Sequence, residues 1–207
     1  MSEAGRRLFD ALIPLDNPPT APGWNHADVA EWLGDEPLMP AAVLVGLREG
    51  GQENIVFTRR HDALPRHPGQ VAFPGGSMEA DDGDMLDTAL RETEEEIGLP
   101  REVVTPLGYL DCFETISGFC VTPVVARIAA DAPAFIPSAS EVADVFEVPL
   151  AYFLRKDNMV RYTMRYRGQH RSMVEFRYGG FRIWGATAAM LFNMLERMGE
   201  SWIHAPP

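Results

Sequence analysis

The sequence predicts a mixed α/β domain of the α+β kind, built in layers. Three observations predict it. Short β-prone runs stand both before and after one capped amphipathic helix, and a longer helix closes the chain. Of the 207 residues, 46% are apolar, enough for a sizeable core and too many for a disordered chain. No segment repeats and no linker is sharp enough to split the chain. One domain with additions is expected, with residues 1–40 as a helical extension, 41–199 as the main domain and 200–207 as a tail.

The elements follow in order. "RRLFDALI" and "HADVAEWLG" read as short amphipathic helices joined by the Pro-rich "PLDNPPTAPGW". "AAVLVGLRE" and "NIVFTRR" read as strands of a hairpin turning at "GGQ". "QVAF" is a short strand running into a tight Pro74-Gly75-Gly76 turn. Asp84 is placed to cap a helix that Gly98 ends, with Leu86, Ala89, Leu90, Thr93 and Ile97 on its packed side. "VVTPLGYLDCF" and "GFCVTPVVARI" read as paired strands around "ETIS". "SEVADVFEVPLAYFL" enters a short helix. "MVRYTMRYRGQHRSMVEFRY" alternates apolar and basic residues as a hairpin with a cationic face. "FRIWGATAAMLFNMLERMG" is a strand followed by the long helix, with Trp184 and Phe192 expected in the core.

Charge narrows the function. The net charge of −12 argues against general binding to nucleic acid or to an anionic membrane. It is also unevenly spread. Glu79–Glu102 carries ten acids against two arginines, whereas Arg155–Arg182 carries eight basic residues against two acids. That asymmetry suits a site where carboxylates hold cations and arginines hold an anionic substrate, and equally suits two solvated faces. The two cysteines, Cys112 and Cys120, are no disulfide framework and read as core thiols. No signal segment or membrane span is evident, so a cytoplasmic protein is expected. A homodimer is allowed by the sequence without being required by it.

The helix between Asp84 and Gly98 carries the chemistry. Glu92, Glu95 and Glu96 stand at i, i+3 and i+4, on one face and roughly opposite the apolar stripe. Glu94 falls elsewhere and reads as a solvated charge. Three like charges near a helix C-terminus repel one another and oppose the helix dipole, at about 0.3–1 kcal/mol each for the dipole. A divalent cation such as Mg²⁺ compensates such crowding, because it prefers carboxylate oxygens and shares its coordination with phosphates. Taken alone, the glutamates also fit an acidic solvent-facing helix.

Their context goes further. "Arg91-Glu92-Thr93-Glu94-Glu95-Glu96-Ile97-Gly98-Leu99" resembles the second half of the Nudix box, Arg-Glu-U-x-Glu-Glu-x-Gly-U with U apolar, and Gly75-Gly76 resembles its start. There are departures. The box glycine falls on Ser77, leaving Gly76 one residue further from Arg91. The expected box glutamate falls on Gly83, with Asp82 the available stand-in. Thr93 replaces an apolar residue. The lengthened spacing, "RRHDALPRHPGQVAFPGGSMEADD", "SGFCVTPVVA", "EVADVFEVPL" and "FRIWGATAAML" resemble the coenzyme A pyrophosphatase subfamily over roughly Ala41 to Met194. An arginine of that subfamily falls on Pro65 here, with Arg66 following it.

The resemblance implies a Nudix-type α/β/α sandwich with a mixed sheet between helices. It implies hydrolysis of the pyrophosphate bond of coenzyme A or its thioesters, to 3′,5′-ADP and 4′-phosphopantetheine, with Mg²⁺ or Mn²⁺. Glu92, Glu95 and Glu96 are then the expected metal and catalytic residues, with Glu141 a further candidate base. Arg59, Arg66, Gly75, Gly76 and Arg91 are expected on the substrate side, with Arg60 and the basic hairpin as further phosphate contacts. Two other readings stay open. One is hydrolysis of another nucleoside diphosphate derivative, such as ADP-ribose, a nucleotide sugar or a dinucleoside polyphosphate. The other is a Nudix-fold module that binds a nucleotide without cleaving it.

Overall fold

A computed structural model describes residues 2–166 and 168–204. Arg167 of the expected hairpin turn and residues 205–207 of the tail lie outside the described residues. The helices are α1 (Glu3–Asp10), α2 (His26–Val29), α3 (Met85–Ile97), α4 (Leu150–Phe153) and α5 (Gly185–Arg197). The strands are β1 (Met39–Arg48), β2 (Asn54–Arg60), β3 (Val71–Ala72), β4 (Gly75–Ser77), β5 (Val104–Tyr109), β6 (Phe113–Glu114), β7 (Phe119–Ile128), β8 (Val142–Pro149), β9 (Met159–Tyr166), β10 (Gln169–Tyr178) and β11 (Phe181–Ile183).

The order of the main sheet is β3-β2-β1-β7-β5, with β4 on β1, β6 on β7 and β8 on β2. β1 and β7 run parallel while their other partners run antiparallel, so the sheet is mixed. A smaller antiparallel sheet has the order β11-β10-β9. The central strands are apolar at nearly every position because both of their faces are covered. Ala42 and Leu44 of β1, Val56 of β2 and Val124 and Ala126 of β7 pack with Ala89 and Ile97 of α3. The alternate residues Val45, Phe57 and Val125 pack with Ala188, Leu191 and Met194 of α5. The mixed sheet is thus sandwiched between helices, as expected.

The β1–β2 hairpin, the β5–β7 pairing, the β9–β10 hairpin and the β11–α5 order all match the sequence reading. Three details differ. The second N-terminal helix stops at Val29 and continues as a 3-10 turn over Ala30–Trp32. Gly75-Gly76 forms no tight turn. It is part of β4, hydrogen-bonded to β1 in the register Val43↔Gly75 and Ala42↔Gly76. Trp184 and Phe192 are half-buried at the core's edge. The N-terminal segment is docked as well, since Leu8 of α1 joins the α5-side core and Ile13 bridges to Tyr109.

Candidate active site

Helix α3 is fixed at both ends as its sequence dictates. The Asp84 carboxylate caps it by accepting from the Asp87 N–H at 2.8 Å. Gly98 ends it in the left-handed conformation, with φ of 64°. Beyond that end, the N–H groups of Ile136 and Ser138 donate to the carbonyls of Ile97 and Glu96, both at 2.8 Å. These bonds satisfy helix carbonyls that would otherwise be orphaned. Thr93 is tolerated on the packed face because its hydroxyl donates to the Ala89 carbonyl at 2.6 Å.

Strand β4 brings backbone against the glutamates. Gly75 has φ of 152°, and a Cβ there would lie 2.3 Å from the Ala42 carbonyl oxygen. Only glycine fits. A Cβ on Gly76 would lie 2.5 Å from the Glu92 carboxylate, so that carboxylate rests directly on the glycine backbone. The Gly75 N–H points to Glu96 Oε2 at 3.4 Å, a long contact.

The three glutamates are not equivalent. Glu96 is buried, Glu92 is half-buried and Glu95 is exposed. Burial pushes the Glu96 carboxyl up to about 7, and the charges of Glu92 and Glu141 add to the push. The Gly75 N–H and the charge of Arg60 oppose it. Burial also raises Glu92, against the pull of Arg91. Arg91 organises the rest. Its Nε and Nη2 donate to the two oxygens of Asp82 at 2.8 and 2.9 Å, and Nη2 also donates to the Ser77 carbonyl at 3.0 Å. Its Nη1 donates to Glu92 at 3.1 Å and to Glu95 at 3.2 Å. Asp82 accepts as well from the Glu79 N–H and the Thr88 hydroxyl, at 2.8 and 3.0 Å. These bonds, Arg91's first, hold its carboxyl well below the usual carboxylate range.

The fold therefore gathers Glu92, Glu95, Glu96, Arg91, Gly75 and Gly76. It does not gather Arg59 and Arg66 with them. Arg59 is engaged by Asp144 at 2.6 Å and Asp62 at 3.0 Å, and Arg66 is exposed on the loop between β2 and β3. Arg60, next to Arg59, is the arginine whose charge acts on Glu96, and its Nε is buried without a partner. Strand alternation underlies the difference, since adjacent residues face opposite sides, and the register with β8 shifts between Arg59 and Arg60. Asp82 as the anchor of Arg91 was legible only as the acid left near the missing glutamate.

Among the described residues, no group of three His, Cys, Asp or Glu side chains converges as a ready-made metal cage. The donors nonetheless suit a hard divalent cation. Glu96 is a buried carboxylate with one weak hydrogen bond, Glu92 stands beside it, and both bear hard oxygens. Mg²⁺ completes such partial sets with water and phosphate oxygens. Among the described residues, no helix is long and apolar enough to cross a membrane.

The family model described as NUDIX domain matches residues 37–165. A Cronobacter sakazakii protein bearing the name "Uncharacterized Nudix hydrolase NudL" is 38% identical over 160 residues, covering 77% of this chain and 83% of that protein. A Yersinia pestis protein of the same name is 38% identical over 159 residues, covering 76% and 79% respectively. The crystal structure of a MutT/nudix family protein from Enterococcus faecalis aligns with a TM-score of 0.51 at 16% identity, covering 100% of this chain and 78% of that one. That last likeness speaks for the fold alone.

Proposed function

The chain belongs to the Nudix family, and from that premise we propose that it is a cytoplasmic pyrophosphohydrolase of coenzyme A or its thioesters. Its products are then 3′,5′-ADP and (acyl-)4′-phosphopantetheine. The hydrolase part of the reading is carried by one observation: Glu96 is buried, has only the Gly75 N–H at 3.4 Å as a hydrogen-bond partner and feels the charge of Glu92, whose carboxylate rests on Gly76. The coenzyme A part is supported by the subfamily-like "RRHDALPRHPGQVAFPGGSMEADD".

Glu92 and Glu96 would hold Mg²⁺ or Mn²⁺, with Glu95 at the exposed rim. Such a cation, when bound, neutralises pyrophosphate charge and lowers the pKa of water. The chain's own residues do the positioning. Gly75 and Gly76 let backbone approach the phosphates without side-chain interference. Arg91, anchored by Asp82, aims Glu92 and Glu95. Arg60 brings positive charge toward the site from β2. Glu141, whose charge acts on both Glu92 and Glu96, would take the proton from the attacking water, with Glu95 and Glu92 as the alternative bases. Positioning and electrostatics carry most of phosphoryl transfer, so no covalent intermediate is needed.

The test is incubation with coenzyme A and Mg²⁺ or Mn²⁺, followed by mass analysis of the products. The expected masses are those of 3′,5′-ADP and 4′-phosphopantetheine. Intact coenzyme A beside rapidly cleaved ADP-ribose would overturn the substrate. Stoichiometric, uncleaved nucleotide in the presence of metal would overturn catalysis itself.

A further inference from the structure

The two thiols of the chain take no part in the hydrolysis proposed above. Cys112 directly precedes β6, and Cys120 is the second residue of β7. The strands pair antiparallel in the register Phe113↔Val121 and Glu114↔Cys120. Side chains alternate along a strand, so Cys112 and Glu114 share the face that Cys120 occupies, and Cys112 stands diagonal to Cys120. The thiols meet there. The two side chains are hydrogen-bonded to each other, and both cysteines are free.

Their surroundings differ. Cys112 is 2% exposed, whereas Cys120 is half-buried. The N-terminal segment closes over Cys112. The Trp24 N–H donates to the Cys112 carbonyl at 3.1 Å, and a Cβ on Gly23 would lie 2.7 Å from that oxygen. The Trp24 ring lies 6.3 Å from that of Phe113. The buried Glu114 carboxylate accepts from the Gly23 N–H at 2.9 Å and meets the His26 ring at 2.6 Å. The bond between the thiols pulls Cys120 below the ordinary thiol range, against burial and the charge of Glu114. The same bond, with burial, holds Cys112 far above that range. The more exposed sulfur is therefore the one that ionises, and the thiolate is the nucleophile.

Strand geometry sets the character of a bond between them. Diagonal neighbours in a sheet stand about 7–8 Å apart, whereas a relaxed disulfide brings its Cβ atoms to about 3.5–4.5 Å. Closing the bond draws Cys112 toward β7. The chain there can follow, because β6 is 2 residues long and residues 110–112 belong to no strand. A bond closed against the spacing of a sheet is readily reduced, which suits a reversible link rather than a permanent one.

We propose that Cys112 and Cys120 form a modification site, an oxidisable dithiol that a hydroperoxide converts to an intrachain disulfide and a reducing dithiol restores. The Cys120 sulfur attacks one peroxide oxygen. The O–O bond breaks, water or an alcohol leaves, and Cys120 becomes a sulfenic acid. The Cys112 sulfur then attacks the Cys120 sulfur. The S–O bond breaks, and the hydroxyl leaves as water with the Cys112 proton. The two sulfurs give up two electrons and the peroxide takes them. A reducing dithiol reverses the change by exchange and is itself oxidised.

The test treats the reduced full chain with hydrogen peroxide, blocks the remaining thiols with N-ethylmaleimide and maps the peptides by mass. Trypsin leaves both cysteines in residues 102–127. That peptide should lose the mass of two hydrogens, escape the blocking reagent and regain both thiols with dithiothreitol. Further cleavage after Glu114 should leave its two parts linked. Cys112→Ser should stop at a Cys120 sulfenic acid, which dimedone traps. Cys120→Ser should slow oxidation of the remaining thiol at least about tenfold. The proposal is overturned if Cys112 stays free while Cys120 proceeds to its higher acids, or if the link joins two chains instead. It is also overturned if both thiols survive about a hundredfold excess of peroxide. Equal rates for Cys120→Ser and the wild type would remove Cys120 as the attacking sulfur. The wild-type map decides the pairing even where a serine variant fails to fold.

Discussion

Two buried glutamates in this molecule meet opposite treatment. Glu175 of β10 is 3% exposed and Glu96 of α3 is 5% exposed. Glu175 accepts from Arg177 at 2.8 Å and from Arg182 at 2.6 Å, and these bonds hold its carboxyl below the usual range despite burial. Glu96 has one N–H at 3.4 Å and two acidic neighbours, and its carboxyl rises to about 7. The same residue type at similarly low exposure is satisfied in the small sheet, beneath two solvent-facing arginines, and left wanting on α3. A buried carboxylate with its partners supplied is architecture, whereas one kept short of partners is, on the function proposed above, the one that would take a cation.

The strongest way to break this contrast is Glu96→Gln. Turnover should fall at least about a hundredfold at saturating Mg²⁺, by analogy with lost metal ligation. Product formation measured by chromatography checks it, and near-wild-type turnover would remove Glu96 from the site. Next comes pH. The folded carboxyl of Glu96, at about 7, lies above its ordinary value. Below the ordinary value both states are protonated, and Glu96 costs nothing. As pH rises toward 7 the folded state retains a proton that the unfolded state has released, and stability falls. Metal-free protein should therefore lose about 2–3 kcal/mol from this group between pH 4.5 and pH 7.5, a loss absent in Glu96→Gln. Urea melts at the two pH values measure it.

A smaller effect is expected for Asp82→Asn, which loosens Arg91 and so misaims Glu92 and Glu95. Turnover should drop about tenfold while Asp82→Glu recovers part of it, as outer-shell partners behave. An Asp82→Asn enzyme with unchanged kcat and KM would count against the clamp. The smallest effect should come from Glu175→Gln. Its two arginines reach solvent and can rehydrate, so the loss should be about 1 kcal/mol in stability with kcat untouched. A loss of activity there would erase the distinction between the two glutamates.

Much of this could be read from the chain. The cap at Asp84, the stop at Gly98 and the i, i+3, i+4 glutamates located α3 and its charged face, because helix periodicity and capping are local. The apolar runs located the central strands for the same reason. What the chain hid depends on long-range pairing. Gly75-Gly76 looks like a turn until β1 is seen beside it. Arg59 and Arg60 are chemically alike, and only the β2–β8 register decides which one turns toward Glu96. Glu175 and Glu96 are indistinguishable as letters, since partners such as Arg182 are supplied by the fold. Trp24 sits in a Pro-rich stretch with no periodicity to announce the surface it meets.

The parallel pairing of β1 with β7 has a kinetic consequence. It joins Met39 to Phe119 and Arg48 to Ile128, eighty positions apart, and α3 lies inside that loop. Closing so long a loop is slow compared with helix formation. During synthesis α3 can coil as soon as it is made, but β7 must emerge before the floor beneath it is complete. The carboxylates are thus brought to their final depth only once the centre of the sheet has closed.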